Sequence, residues 1–217
     1  MKEYQSLLDK YSLEGYSMYS KTISRSEWGN KEVAEKYLDT YWLPQSEYEN
    51  KWKWIQNEIF INQETGLPKL VFNNGYEILI RRGGCLFVED ELKKLQECVL
   101  NVGDEHFVVV ENTFAGKLQE PAFRLKLPTR IEWKDLTSGN FISAIFVGMC
   151  HKEYFVFGAS GSWGKYAAND FENPLDIIGF KSEYGSIFRE KFEASEEERR
   201  EIATWVPAQY TKYMKGL

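Results

Sequence analysis

Between residues 107 and 180 the chain reads as one short apolar run after another, and this constrains its fold more than any other feature. Phe107-Val108-Val109-Val110 opens the series. Phe123-Arg124-Leu125-Lys126-Leu127 alternates apolar and basic residues and is stopped by Pro128. Phe141 to Val147, Tyr154-Phe155-Val156-Phe157, Trp163 to Ala167 and Leu175 to Phe180 follow. These runs have the length and the β-branched and aromatic content of strands. Ile131 to Leu136 fits a short helix between two of them. Gly158 to Gly164 is rich in turn residues, as a hairpin reversal requires. Upstream, Lys69 to Asn73 and Tyr76 to Ile80 flank Asn74-Gly75. Asn-Gly between apolar runs is a strong hairpin signal, because both turn residues must accept positive φ.

Helical periodicity lies outside this block. From a candidate N-cap at Asn30, the residues Val33, Ala34, Tyr37, Leu38 and Tyr41 mark one face of a helix. Pro44 ends or redirects it. A second helix from about Gln45 carries Tyr48, Trp52, Ile55 and Ile59 on its apolar stripe, with lysines and glutamates outward. Glu89 to Leu100 is a third, with Leu92, Leu95, Val99 and Leu100 on one side and Gly103 beyond its end. Near the C-terminus, Ser195 and Glu198 form a Ser-x-x-Glu start signal. Ile202, Trp205 and Val206 face inward from it, Pro207 interrupts, and Tyr210, Tyr213 and Met214 continue a short last helix. Strands in the middle and helices at both chain ends predict an α+β fold with a central antiparallel-rich sheet, in a single domain over residues 1–217.

The composition is globular: 43% hydrophobic and 28% charged among 217 residues. The net charge of −6 lacks the basic footprint of a nucleic-acid-binding protein. Cys85, Cys98 and Cys150 are far apart in sequence and odd in number, so a disulfide framework is not expected and a cytoplasmic location is. No apolar run is long enough to span a membrane as a helix. Aromatic residues reach 16%, with seven Trp. Such rings build cores, and at surfaces they mark recognition sites.

Candidate chemistry is sparse. Gly158-Ala-Ser160-Gly-Ser162 approaches a nucleophile elbow but has serine where the last glycine belongs. Cys150 and His151 are adjacent, so in a strand they point to opposite faces. An enzyme reading therefore rests on His106 or His151 acting with Cys150 or a carboxylate. No zinc spacing or phosphate loop is present, and no metal or cofactor is implied. Glu196-Glu197-Glu198 falls in a first helical turn, where the helix dipole accounts for it. The stretch Trp163 to Asp170 is the strongest binding candidate. Strand alternation puts Trp163 and Lys165 on one face and Tyr166 on the other. Two readings stand: Trp163 anchors a hairpin from the core, or Trp163, Lys165, Tyr166 and Asp170, with Tyr154 and the preceding turn, present a protein-binding surface.

Phe155-Val-Phe-Gly-Ala-Ser-Gly-Ser-Trp-Gly-Lys-Tyr166, with Leu175-Asp-Ile-Ile-Gly179, resembles the strand-turn-strand half of the SUKH superfamily of bacterial immunity proteins. Ile131-Glu-Trp133-Lys-Asp-Leu136 and the Leu43-Pro44 corner before Tyr48 are similar too. The resemblance implies an α+β fold and a non-enzymatic role, binding and neutralising a toxin domain. An acidic chain suits a basic toxin partner through electrostatic steering. Which of Trp28, Trp42, Trp54 and Trp163 lies at the surface is the observation that bears most directly on a binding role.

Overall fold

A computed structural model describes residues 10–11, 31–61, 71–83, 86–112, 123–139, 153–168, 174–206 and 208–214. It is an α+β fold. Helix α1 (Lys31–Tyr41) leads through Leu43-Pro44 into α2 (Gln45–Glu47), a π-helical segment (Tyr48–Trp52) and α3 (Lys53–Ile59) without a break. Strand β1 (Glu77–Arg82) and helix α4 (Glu89–Val102) follow. Then come β2 (His106–Glu111), β3 (Arg124–Pro128), α5 (Trp133–Leu136), β4 (Tyr154–Gly158), β5 (Trp163–Ala168) and β6 (Leu175–Phe180). Helices α6 (Gly185–Phe192) and α7 (Glu196–Ala203) and a 3₁₀ segment (Ala208–Met214) close the described chain.

The strands form one antiparallel sheet in the order β1-β6-β5-β4-β2-β3. Side chains alternate across it, and both faces are covered. Trp163, Val156, Val109 and Ile178 point into one core, closed by Leu38 of α1, Leu95 of α4 and Phe188 of α6. Tyr166, Phe157, Val108 and Ile177 point into the other, closed by Trp52 of the π segment, Ile55 of α3 and Ile202 of α7. The result is three layers, with β4, β5 and β6 buried along their whole lengths. Runs such as Tyr-Phe-Val-Phe lack polar alternation because neither face meets water.

Both sheet edges are occupied. On the β3 side, Leu43 N–H donates to the Arg124 carbonyl at 3.1 Å and Trp42 bridges to Leu125. On the β1 side, Arg82 N–H donates to Glu198 Oε1 at 2.9 Å. Covering an edge in this way removes a template for intermolecular strand pairing. Glu198 therefore docks α7 onto β1, while Ser195 Oγ accepts from the Glu198 N–H at 3.1 Å and caps the helix.

The Asn74-Gly75 turn is present, with Gly75 at φ +98°, but it does not join two paired strands. β1 pairs with β6. Val71 to Asn73 instead pairs with the end of α3: Ile61 N–H donates to Val71 O and Asn73 N–H to Ile59 O, both at 2.9 Å. Asn73 Nδ2 also donates to the carbonyls of Asn57 and Glu58 at 2.9 Å, satisfying the last turn of α3. These carbonyls and the six register pairs with β6 outweigh a local hairpin. On α1 and α4, Val33 and Leu100 lie at the surface rather than on the inner stripe. The expected cap Asn30, the residues Lys69 and Leu70, Pro207 and the strand Phe141 to Val147 lie outside the described residues. No described helix is long and apolar enough to cross a membrane.

Candidate functional site

β5 alternates as expected, with Trp163 and Lys165 on one face and Tyr166 on the other. The expectation that this strand presents a surface is overturned. β5 lies inside the sheet between β4 and β6. Helices close both faces over it, and Tyr154, Trp163, Lys165 and Tyr166 are all buried. Asp170 lies outside the described residues.

Trp163, Lys165, Tyr166 and Asp176 are engaged internally. The Asp104 carboxylate accepts from Ser160 N–H at 2.8 Å, Ser160 Oγ at 2.7 Å and Trp163 Nε1 at 2.9 Å. Ser160 Oγ in turn accepts from Ser162 N–H at 3.1 Å. The hydroxyl of the near-elbow thus ties the β4–β5 turn to the link between α4 and β2. On the other face, Tyr166 donates its hydroxyl to Glu153, and Asn112 Nδ2 stands 3.2 Å from both. Burial, and then the Glu153 charge, hold the Tyr166 phenol far above its usual range. Lys165 Nζ meets Asp176 Oδ2 at 2.6 Å and donates to Leu86 O at 2.9 Å. The Cys98 thiol is pushed up to about 12 by burial and faces the Ile187 carbonyl, which makes it an inert thiol. His106 is exposed and makes no hydrogen bond or ion pair among the described residues. Cys85, Cys150 and His151 lie outside them.

Comparison with protein-family models, with curated proteins and with solved structures finds no match.

The surface is more informative. Of the four tryptophans in question, Trp163 is buried and Trp42 is half-buried against Phe123. Trp28 lies outside the described residues. Trp54 stands 69% exposed on α3. The cause is local: Trp52, two residues earlier, occupies the inner stripe with Tyr48, Ile55 and Ile59, so Trp54 falls on the opposite side of the helix. The helix is held firmly beneath it. Trp52 Nε1 donates to Glu47 at 3.1 Å, Tyr48 donates its hydroxyl to Gln56 at 3.0 Å, and Lys126 Nζ bonds Glu47 at 2.8 Å. The π segment, closed by Lys53 N–H donating to Tyr48 O, carries Tyr48 and Trp52 into the core together. Such segments concentrate at functional positions. Asn50 and Glu58, four residues to either side of Trp54, are exposed. Lys181 Nζ lies 4.0 Å from the Glu58 carboxylate. Lys51 leans over the Trp52 ring at 4.7 Å.

A second surface feature lies between α4 and the 130–134 segment. It is a cleft of about 450 Å³ lined by Leu92, Ile131 and Trp133 together with Lys93, Arg130 and Lys134.

Proposed function

We propose that this chain is a non-enzymatic, cytoplasmic binding protein that neutralises a basic toxin domain, as the immunity proteins it resembles do, and that Trp54 is its principal contact. The observation that carries this reading is an indole 69% exposed on a rigid, well-anchored helix. Trp is among the residues that dominate interface energetics, since it brings a large area with little conformational entropy to lose. Glu58 follows the ring by one helical turn, so an arginine of the partner can stack on Trp54 while its guanidinium meets that carboxylate. Asn50, one turn before the ring, offers a side-chain carbonyl as a second acceptor. The net charge of −6 adds long-range attraction for a basic partner.

The test is co-expression with the toxin-domain candidate encoded by the adjoining gene, followed by co-purification and calorimetric titration. Growth should be rescued and a stable complex isolated. Trp54→Ala should weaken the complex by about 2 kcal/mol or more, roughly thirtyfold in Kd. Its melting temperature should match that of the parent, because the ring is exposed. Absence of any complex removes the toxin reading, and full affinity in Trp54→Ala removes the assigned contact.

A further inference from the structure

The cleft beside α4 is separate from the Trp54 face, and its charge balance is distinctive. Three cations and two carboxylates, Glu89 and Glu132, line it. Both carboxylates already have partners: Lys93 bonds Glu89 at 2.7 Å and Lys134 bonds Glu132 at 2.7 Å. Arg130 is exposed and has no hydrogen bond or ion pair among the described residues. Arg130 thus lines the cleft with no partner among the described residues, in a chain whose net charge is −6. A guanidinium is the side chain best shaped to grip a carboxylate, through two parallel hydrogen bonds.

The walls are fixed. Gln96 Nε2 donates to the Ile131 carbonyl at 2.7 Å and ties α4 to the opposite side. Ile131 N–H donates to Pro128 O at 3.0 Å, and Thr129 Oγ1 to Asp104 O at 2.7 Å. Leu92 and Ile131 are almost wholly buried and form an apolar floor, with the half-buried Trp133 ring beside them. The hollow, about 450 Å³ with Leu92, Ile131 and Trp133 beside charged side chains, falls within the usual range of about 300–1,000 Å³ for a small-molecule site.

We propose that this cleft binds a small organic acid with an aromatic or similarly flat apolar body, its carboxylate on Arg130 and its body against Trp133 and the Leu92–Ile131 floor. Lys93 and Lys134 stay paired with their glutamates and set the electrostatic background.

The test is a titration of the intact protein with phenylacetate, followed by NMR at the Trp133 indole N–H, which is assigned from its disappearance in Trp133→Phe. Phenylacetamide, the neutral isostere, and inorganic phosphate are titrated in parallel. The expected result is a saturable shift of the Trp133 signal with phenylacetate, at least tenfold weaker with phenylacetamide and absent with phosphate. Arg130→Gln should weaken phenylacetate binding at least tenfold without changing the melting temperature, since Arg130 is exposed. No saturable shift overturns the proposal, as does equal binding of the amide or full affinity in Arg130→Gln. Binding of phosphate as tight as that of phenylacetate overturns the organic-acid assignment in favour of a general anion site.

Discussion

Lys165 and Asp176 sit diagonally across β5 and β6, where Lys165 is in register with Ile178 and Ala167 with Asp176. The Phe87 ring lies 5.6 Å from the ammonium, and the Leu86 carbonyl accepts one of its protons. Burial of the carboxylate costs more than the lysine's attraction returns, so the Asp176 carboxyl is pushed up from 3.8 to about 6. Nearby Glu91 adds to the rise, and Arg81 opposes it. The folded chain thus binds this proton more tightly than the unfolded chain. The associated stabilisation is complete below about pH 4 and is lost as pH rises through 6. Asp176→Asn removes this carboxyl titration. The stability of the parent minus that of Asp176→Asn should therefore fall between pH 4 and pH 6, as measured by urea denaturation across the range. A difference that rises instead means that the lysine's attraction outweighs desolvation.

At the scale of elements, the covering layer reaches the sheet through two glycines. Gly164 and Gly179 face each other across β5 and β6. The Phe60 ring lies over the first and the Phe72 ring over the second, their centroids 5.0 Å apart. A Cβ at either glycine would come closer than 3.0 Å to a ring carbon. Gly164→Ala should therefore lower stability by about 1–3 kcal/mol through overpacking, read as a lower urea midpoint at unchanged slope. An unchanged midpoint means that the ring moves aside freely. This close approach explains why much of the fold, but not all of it, is legible in the sequence. The bounds of β6 can be read because Leu175 to Phe180 is one buried run. The end of α4 can be read because Gly103 takes φ +93° there. The outward position of Trp54 follows from counting from Trp52. The pairing of Phe72 with Phe60 does not show, because Asn73 caps α3 through contacts that a hairpin template ignores. The burial of Tyr166 does not show either. A Trp-Gly-Lys-Tyr strand looks half-exposed until the second helical layer, formed by distant residues such as Trp52 and Ile202, is in place.

The described residues form two cores on either side of one sheet. Every central strand supplies alternate side chains to each: Val156 and Phe157, Trp163 and Tyr166, Ile177 and Ile178 face opposite ways from β4, β5 and β6. Neither helical layer can leave without exposing one side of the same strands, and no strand can leave without opening both cores. Asp104, in the link between α4 and β2, locks the β4–β5 turn, and Glu198 of α7 locks β1, so these ties also cross between elements distant in sequence. Coupling of this kind favours a single unfolding transition over a stepwise loss of layers. Trp163 reports on one core and Trp52 on the other. With both indoles labelled by fluorine and assigned through Trp→Phe variants, their native signals should disappear at the same urea concentration, together with the far-ultraviolet circular dichroism. Earlier loss of the Trp52 signal would mean that the α2–α3 layer detaches on its own. The face carrying Trp54 would then be a separable unit resting on the sheet, and its rigidity as a binding platform would have to come from a partner rather than from the fold.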